Sequence, residues 1–270
     1  VKKIILVLFV AFVSLPAFSQ DSTGKRVKGS KRDEKRQRIA AMVKQEEEGV
    51  LSYTKQTVFG LQLRTNGYGG WVELGRRRTQ RWTNLYSLEI TEIKDRKEEK
   101  VGGEGAFFGN TYIYGKINNF YQTKLGFGRQ YIFGQKGNKN GVAVTGSFNT
   151  GLSVGLLKPY FVQVDSAGGV FIRYKDNPGM FLDRNEVVNG GGITRGWKNL
   201  TIHPGVFAKT ALRFDFGRYN ESVQALEIGV SADYYSQKIE IMAPMSDSKA
   251  TDPKSLFYQL HIAFVFGSRK

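Results

Sequence analysis

The chain of 270 residues contains no cysteine. That excludes a disulfide frame, a thiol nucleophile, a lipid-bearing cysteine and a thiolate metal site. Histidine is almost as scarce. His203 and His261 are the only two and lie far apart in the chain, which disfavours a histidine-built zinc site. Proline occurs six times. Beyond the first twenty residues no apolar run reaches the ~18 residues that a membrane-spanning helix requires. With 40% hydrophobic residues and a mean hydropathy of −0.35, a bundle of membrane helices is excluded. Phosphate-loop chemistry also lacks support: GQKGNKNG, residues 134–141, has neither the Gly-Lys-Ser/Thr ending nor the strand-to-helix setting. No cofactor is called for.

Glycine, aromatics and positive charge are plentiful. There are 32 glycines, 13% aromatic residues and a formal net charge of +16. Many strands joined by glycine-bearing turns fit this composition better than helices do. The first residues, VKKIILVLFVAFVSLPAFSQ, follow the three-part plan of a secretory signal: Lys2 and Lys3, an apolar run from Ile4 to Val13, then Ala17-Phe18-Ser19 as a small-x-small cleavage site. Export removes nucleic acid from the partners that a basic chain would otherwise suggest. Residues 20–55 form a polar lead-in with eight basic residues between Lys25 and Arg38, among them Arg26 and Lys28, and a short helix with a weak apolar face at Ile39, Ala40, Met42 and Val43.

From Thr57 the pattern changes to strict alternation. The uncharged run Val142–Leu157 puts Val142, Val144, Phe148, Leu152, Val154 and Leu156 on one side, and Ala143, Thr145, Ser147, Asn149, Gly151, Ser153 and Gly155 on the other. Seven more segments behave alike, down to Leu256, Tyr258, Leu260, Ile262, Phe264 and Phe266 at the end. Alternation alone also fits a soluble sandwich or a lipocalin-like barrel with its apolar side inward. Three features favour the reverse. The segments are long, about 9–16 residues against the ~5–6 of a soluble strand. Charges recur in mid-segment on the polar side, where only a lumen tolerates them. The connections alternate short and long. The reading is an all-β, eight-stranded antiparallel transmembrane barrel over residues 56–270, with short periplasmic turns at Arg76–Asn84, Gly134–Gly141 and Gly217–Ser222. Its outer loops are the tight Asn66–Gly70 and the longer Lys94–Asn119, Asp165–His203 and Ala243–Lys254.

The inward side then carries Arg64, Arg77, Lys124, Lys209 and Arg213 against Glu73, Glu89, Asp215, Glu227 and Asp233. Five charges of each sign in a narrow lumen predict a plug of ion pairs rather than an open channel. Excess positive charge collects at the periplasmic side: Arg76, Arg78 and Arg81 with Arg77 in one turn, Lys136 and Lys139 in another, Arg269 and Lys270 at the end, and the arm. Such a collar suits anionic lipid headgroups or an acidic envelope protein. The long outer loop offers Phe171, Tyr174, Phe181 and Trp197 as recognition aromatics, and its VNGGGITRGWKN segment, residues 188–199, reads as mobile.

The closing stretch SLFYQLHIAFVFGSRK resembles the last strand of bacterial outer-membrane barrels, with Phe266 as the terminal aromatic. Together with the AFSQ signal end it resembles the small eight-stranded barrels of the Bacteroidota, including those associated with type IX secretion. Asp21-Ser22-Thr23 and Asp165-Ser166-Ala167 are similar to the O-glycosylation signal of that phylum. Barrel lipid deacylases set a lipid-facing His two residues from a Ser; here His261-Ile262-Ala263 has no serine and His261 faces inward. The resemblance implies a non-enzymatic outer-membrane barrel, an accessory or scaffold subunit of a secretion or assembly complex, touching outer-membrane lipid and envelope proteins. A narrow pore and a lipid-modifying enzyme are the alternatives.

Overall fold

The computed structural model describes residues 35–37, 39–40, 53–102, 111–138, 140–165, 168–244 and 253–270. The signal segment, most of the arm with Lys25, Arg26 and Lys28, Lys139, and both glycosylation-like triplets in whole or part lie outside them. Residues 35–37 and 39–40 are helical.

Thirteen strands follow in the described residues: β1 Lys55–Arg64, β2 Gly67–Arg77, β3 Trp82–Ile93, β4 Lys100–Gly102, β5 Thr111–Ile113, β6 Asn118–Gly134, β7 Ala143–Pro159, β8 Phe161–Val164, β9 Val170–Arg173, β10 Val187–Gly190, β11 Thr201–Asp215, β12 Ser222–Ile239 and β13 Lys254–Arg269. Eight of them close into a barrel in the order β1-β2-β3-β6-β7-β11-β12-β13, each antiparallel to the next, and β13 pairs back onto β1 from Gln56↔Arg269 to Arg64↔His261. Closure leaves no open strand edge, which a hydrocarbon environment would leave unsatisfied. The other five strands form a three-stranded sheet, β10-β8-β9, and the hairpin β4-β5.

The barrel is inside-out. Leu61, Leu152 and Leu260 on its outer face are 68%, 65% and 58% exposed, whereas Gln62 between two such leucines is 2% exposed. A soluble barrel would show the reverse, so this wall is built for acyl chains. Wide inward side chains fit because their neighbours are small. A Cβ on Gly60 would come within 2.2 Å of the Trp71 ring, its direct cross-strand partner, and one on Gly126 would come within 2.9 Å of Phe207.

One end of the barrel carries the first and last strand ends and the short connections 78–81, 135–142 and 216–221; it is called the turn end below. The other, the loop end, carries the tight Thr65–Asn66 turn and the long connections. The longest starts at Tyr160, right after β7, rather than at Asp165. Its middle is built rather than mobile: β8, β9, β10, a short helix α1 at Pro178–Leu182 and a 3-10 turn at Trp197–Asn199. Asn177 caps α1 by accepting from the Met180 amide at 3.2 Å, with proline in its first turn.

Candidate functional site

The inward faces bring eight of the charged residues into one connected chain. The Glu89 carboxylate on β3 accepts from Arg64 on β1 and lies 3.5 Å from Lys124 on β6 and 3.4 Å from Lys209 on β11. Lys124 crosses to Asp233 on β12 at 2.5 Å. Lys209 continues to Glu227 at 3.3 Å, and Arg213 then bridges Glu227 and Glu73 at 2.7 and 3.0 Å. Four cations and four carboxylates balance, and all eight are buried. Buried charges survive only when paired and hydrogen-bonded in this way. Amides and hydroxyls take up the remaining valences. Gln259 donates to Asp233 at 2.9 Å, and Gln122 donates to the Tyr235 hydroxyl at 2.6 Å. Trp71 lies beneath Lys209 and Arg213, with ring centroid distances of 5.2 and 5.1 Å. His261 places Nε2 3.3 Å from Glu227.

Apolar layers bracket the network. At the loop end Ile93, Phe120, Leu157, Tyr235, Ile239, Ile241 and Met242 pack together; toward the turn end Val58, Trp71, Val223, Ala225, Ala263 and Val265 do so. The lumen is filled rather than open.

Two inward candidates are placed elsewhere. Asp215 stands in a second cluster at the turn end, 2.5 Å from Arg269 and 3.4 Å from Lys136. Arg77 is at the rim, donating to the carbonyls of Thr79 at 3.0 Å and Gln80 at 2.7 Å and lying over the Tyr53 ring. Lys136 and Arg269, read from sequence as part of the exposed collar, turn inward because Asp215 draws them in. Lys116 and Lys158 are also buried near the loop end, Lys116 on Glu98 at 2.8 Å and Lys158 on the Ile193 carbonyl at 2.8 Å. With Lys136 and Arg269 turned in, the described lumen holds six buried cations, Arg64, Lys124, Lys136, Lys209, Arg213 and Arg269, against five carboxylates, Glu73, Glu89, Asp215, Glu227 and Asp233. Arg76, Arg78 and Arg81 are exposed at the turn end.

The loop-end connections fold into a cap with its own core: Tyr112, Val162, Val164, Phe181 and Val187, with Val101, Tyr114, Tyr160, Ile172, Tyr174 and Met180 against it. Phe181 is 1% exposed and so holds the cap together instead of meeting a partner; Tyr174 meets it edge-on at 5.7 Å. Phe171 is half-buried under the Arg195 guanidinium, 3.6 Å from its ring centroid. Trp197 remains the outward aromatic, half exposed, stacked on Tyr121 at 5.8 Å and fixed by its indole N–H to the Ile193 carbonyl at 2.9 Å. A cleft of about 530 Å³ separates cap from rim, lined among others by Arg173, Lys175, Lys238 and the buried His203. In the cap, hydrogen bonds from Arg173 hold the Asp176 carboxyl below its ordinary pKa.

No protein-family model matches the chain, and no curated protein matches it. Two solved structures align over most of the chain. Neisserial surface protein A aligns at 8% identity and a TM-score of 0.41 over 80% of this chain and 96% of its own. Ail, the attachment invasion locus protein of Yersinia pestis, crystallised with the heparin analogue sucrose octasulfate, aligns at 10% identity and 0.37 over 81% and 100%. At these values the alignments say nothing of function.

Proposed function

We propose that this chain is a non-enzymatic outer-membrane barrel whose work is interaction, as an accessory or scaffold subunit of an envelope complex for secretion or outer-membrane assembly. One observation carries the reading: the lumen is occupied by a neutral eight-residue ion network between two apolar layers. Buried ion pairs between two apolar layers favour a filled lumen over a pore. The reading against catalysis rests on the histidines. His261 is enclosed beside Glu227 without a serine nearby in its strand, and His203 is buried at the rim with no hydrogen-bond partner on Nδ1. The surfaces left to act are the cap, with Trp197 and its basic cleft, and the turn-end rim.

The test is native-gel sizing and crosslinking of the tagged protein from mildly solubilised outer membranes, beside planar-bilayer recording of the purified barrel. A defined envelope complex that is lost when the cap connections are shortened, together with no stepwise conductance, supports the proposal. A lone barrel that conducts in steps overturns it in favour of a narrow pore.

A further inference from the structure

Charge is rare on the outward face of the barrel wall. Among the described residues of the eight barrel strands it is confined to Lys55, Arg76 and Arg129 toward the turn end and to Glu92, Lys238, Lys254 and the covered Lys158 at the loop end. The three turn-end cations lie in one line. Lys55 pairs with Arg76, Arg76 with Asn84, and Asn84 with Arg129, across the four adjacent strands β1, β2, β3 and β6. Toward the turn end the outward face of β7 and β11 carries no charge, so the line occupies one side of the barrel only.

The height of Arg129 is what makes the line informative. It stands two residues nearer the middle of the wall than Tyr131, whose ring packs on Trp82 at 4.8 Å and whose hydroxyl accepts from Arg81 at 3.1 Å. Trp and Tyr of this kind mark the membrane interface. Beyond Arg129 the outward residues of β6 are Phe127 and Leu125, 47% and 61% exposed. A guanidinium facing lipid costs ~2–4 kcal/mol at the bilayer midplane and ~0–1 near the interface. Arg129 is therefore placed where it needs an anion to reach. Among the described residues Arg76, Arg78 and Arg129 have no side-chain hydrogen bond or ion pair, and the outward carboxylate Glu92 is at the opposite end. Arg78 and Arg129 face one cleft of about 380 Å³, completed by Thr79, Trp82 and Asn84.

We propose that this cleft binds the phosphate of an anionic phospholipid in the leaflet at the turn end. Arg78 and Arg129 form the fork, Arg76 adds charge beside it, and the Asn84 amide donates between them. Paired guanidinium N–H groups match phosphate oxygens, and Trp82 offers a flat surface to the glycerol and upper acyl chain. The inference requires a membrane-embedded wall but no protein partner, so it stands or falls apart from the scaffold role.

The experiment is native mass spectrometry of the purified full chain in detergent, offered phosphatidylglycerol or phosphatidylcholine. The wild type should retain phosphatidylglycerol preferentially. The double variant Arg76→Gln/Arg129→Gln should lose about fivefold in retention per arginine, at roughly 1 kcal/mol per basic residue near the surface. The equally charge-depleted Lys238→Gln/Lys254→Gln should retain it as wild type does. Arg129→Lys, which keeps charge and loses the fork, should fall between. Inorganic phosphate in excess should not displace the lipid. Equal retention of the two lipids by wild type overturns the proposal, as do equal losses in both double variants or displacement by phosphate. Should the arginine double variant not fold, judged by its gel shift on heating, the wild-type preference and Arg129→Lys still decide.

Discussion

The barrel and the cap obey opposite rules in one chain. In the barrel, Leu61, Phe148 and Leu260 face out and Arg213, Glu227 and Lys209 face in. In the cap, Phe181, Val162 and Val164 face in, and Lys175 and Arg195 face out. The side-chain chemistry is the same; the surroundings differ. Where the outer medium is hydrocarbon, burial of apolar side chains inside gains nothing, and cohesion passes to ion pairs and hydrogen bonds. Where it is water, an ordinary apolar core forms. The barrel interior is therefore fragile to loss of a single charge, and the cap to loss of volume.

The largest effect should come from unbalancing the interior. Arg213→Met leaves Glu73 without its cation and Glu227 with Lys209 alone, and breaking a buried pair costs about 3–5 kcal/mol. Urea unfolding of the vesicle-embedded barrel would read it. Adding Glu73→Gln, which restores equal numbers of cations and carboxylates, should recover most of the loss, and if it does not, charge balance is not what holds the interior. Phe181→Ala removes a buried ring, also ~3–5 kcal/mol by core precedent, yet the damage should stay in the cap. Protease should then cut the 160–200 connection while the heat-modifiable barrel band persists; a barrel that also unfolds would show the two regions to be one cooperative unit.

These two positions were not equally legible beforehand. Arg213 and Glu227 are read directly from alternation, because a period of two assigns each inward side chain once the wall is known. Phe181 is not legible as core, since strands of three or four residues and a five-residue helix carry too few turns of any period to reveal one. Arg269 shares the parity of Val265 and Gly267 and was readable as inward, but its place next to the chain end suggested a solvent tail. Lys158 was not readable. It keeps outward parity, yet is buried because the loop-end connection lays Ile193 and Trp197 over it. Lys136 sits in a turn, where periodicity assigns no direction.

A smaller effect tests the outer face. Leu260→Arg puts a charge among acyl chains and should cost ~2–4 kcal/mol if it lies near mid-bilayer; normal assembly and unchanged urea midpoint would reverse the inside–outside assignment. The smallest belongs to the exposed Arg173–Asp176 pair of the cap, 2.7 Å apart. Asp176 has a lowered pKa in the folded cap, so its contribution is fully present above the ordinary aspartate value and disappears as pH falls through the lowered one. Being exposed it is worth roughly 0.2–1 kcal/mol. Asp176→Asn should flatten that acid-side loss of protease resistance and leave the barrel's midpoint unchanged.

The seam between β1 and β13 has a kinetic meaning. Its register runs to Arg269, and the amide of Lys55 donates to the Lys270 carbonyl at 2.8 Å while the amide of Lys270 returns the bond to Lys55 at 2.8 Å. The first strand of the barrel thus waits for the last before its edge is satisfied, and two segments some two hundred residues apart must meet late, against loop-closure entropy. Any chain cut short before β13 would present β1 and β12 as bare edges, open to whichever strand arrived first. Synthesis of the whole chain must be finished before this wall can close, and until then its first strand has no partner on that edge.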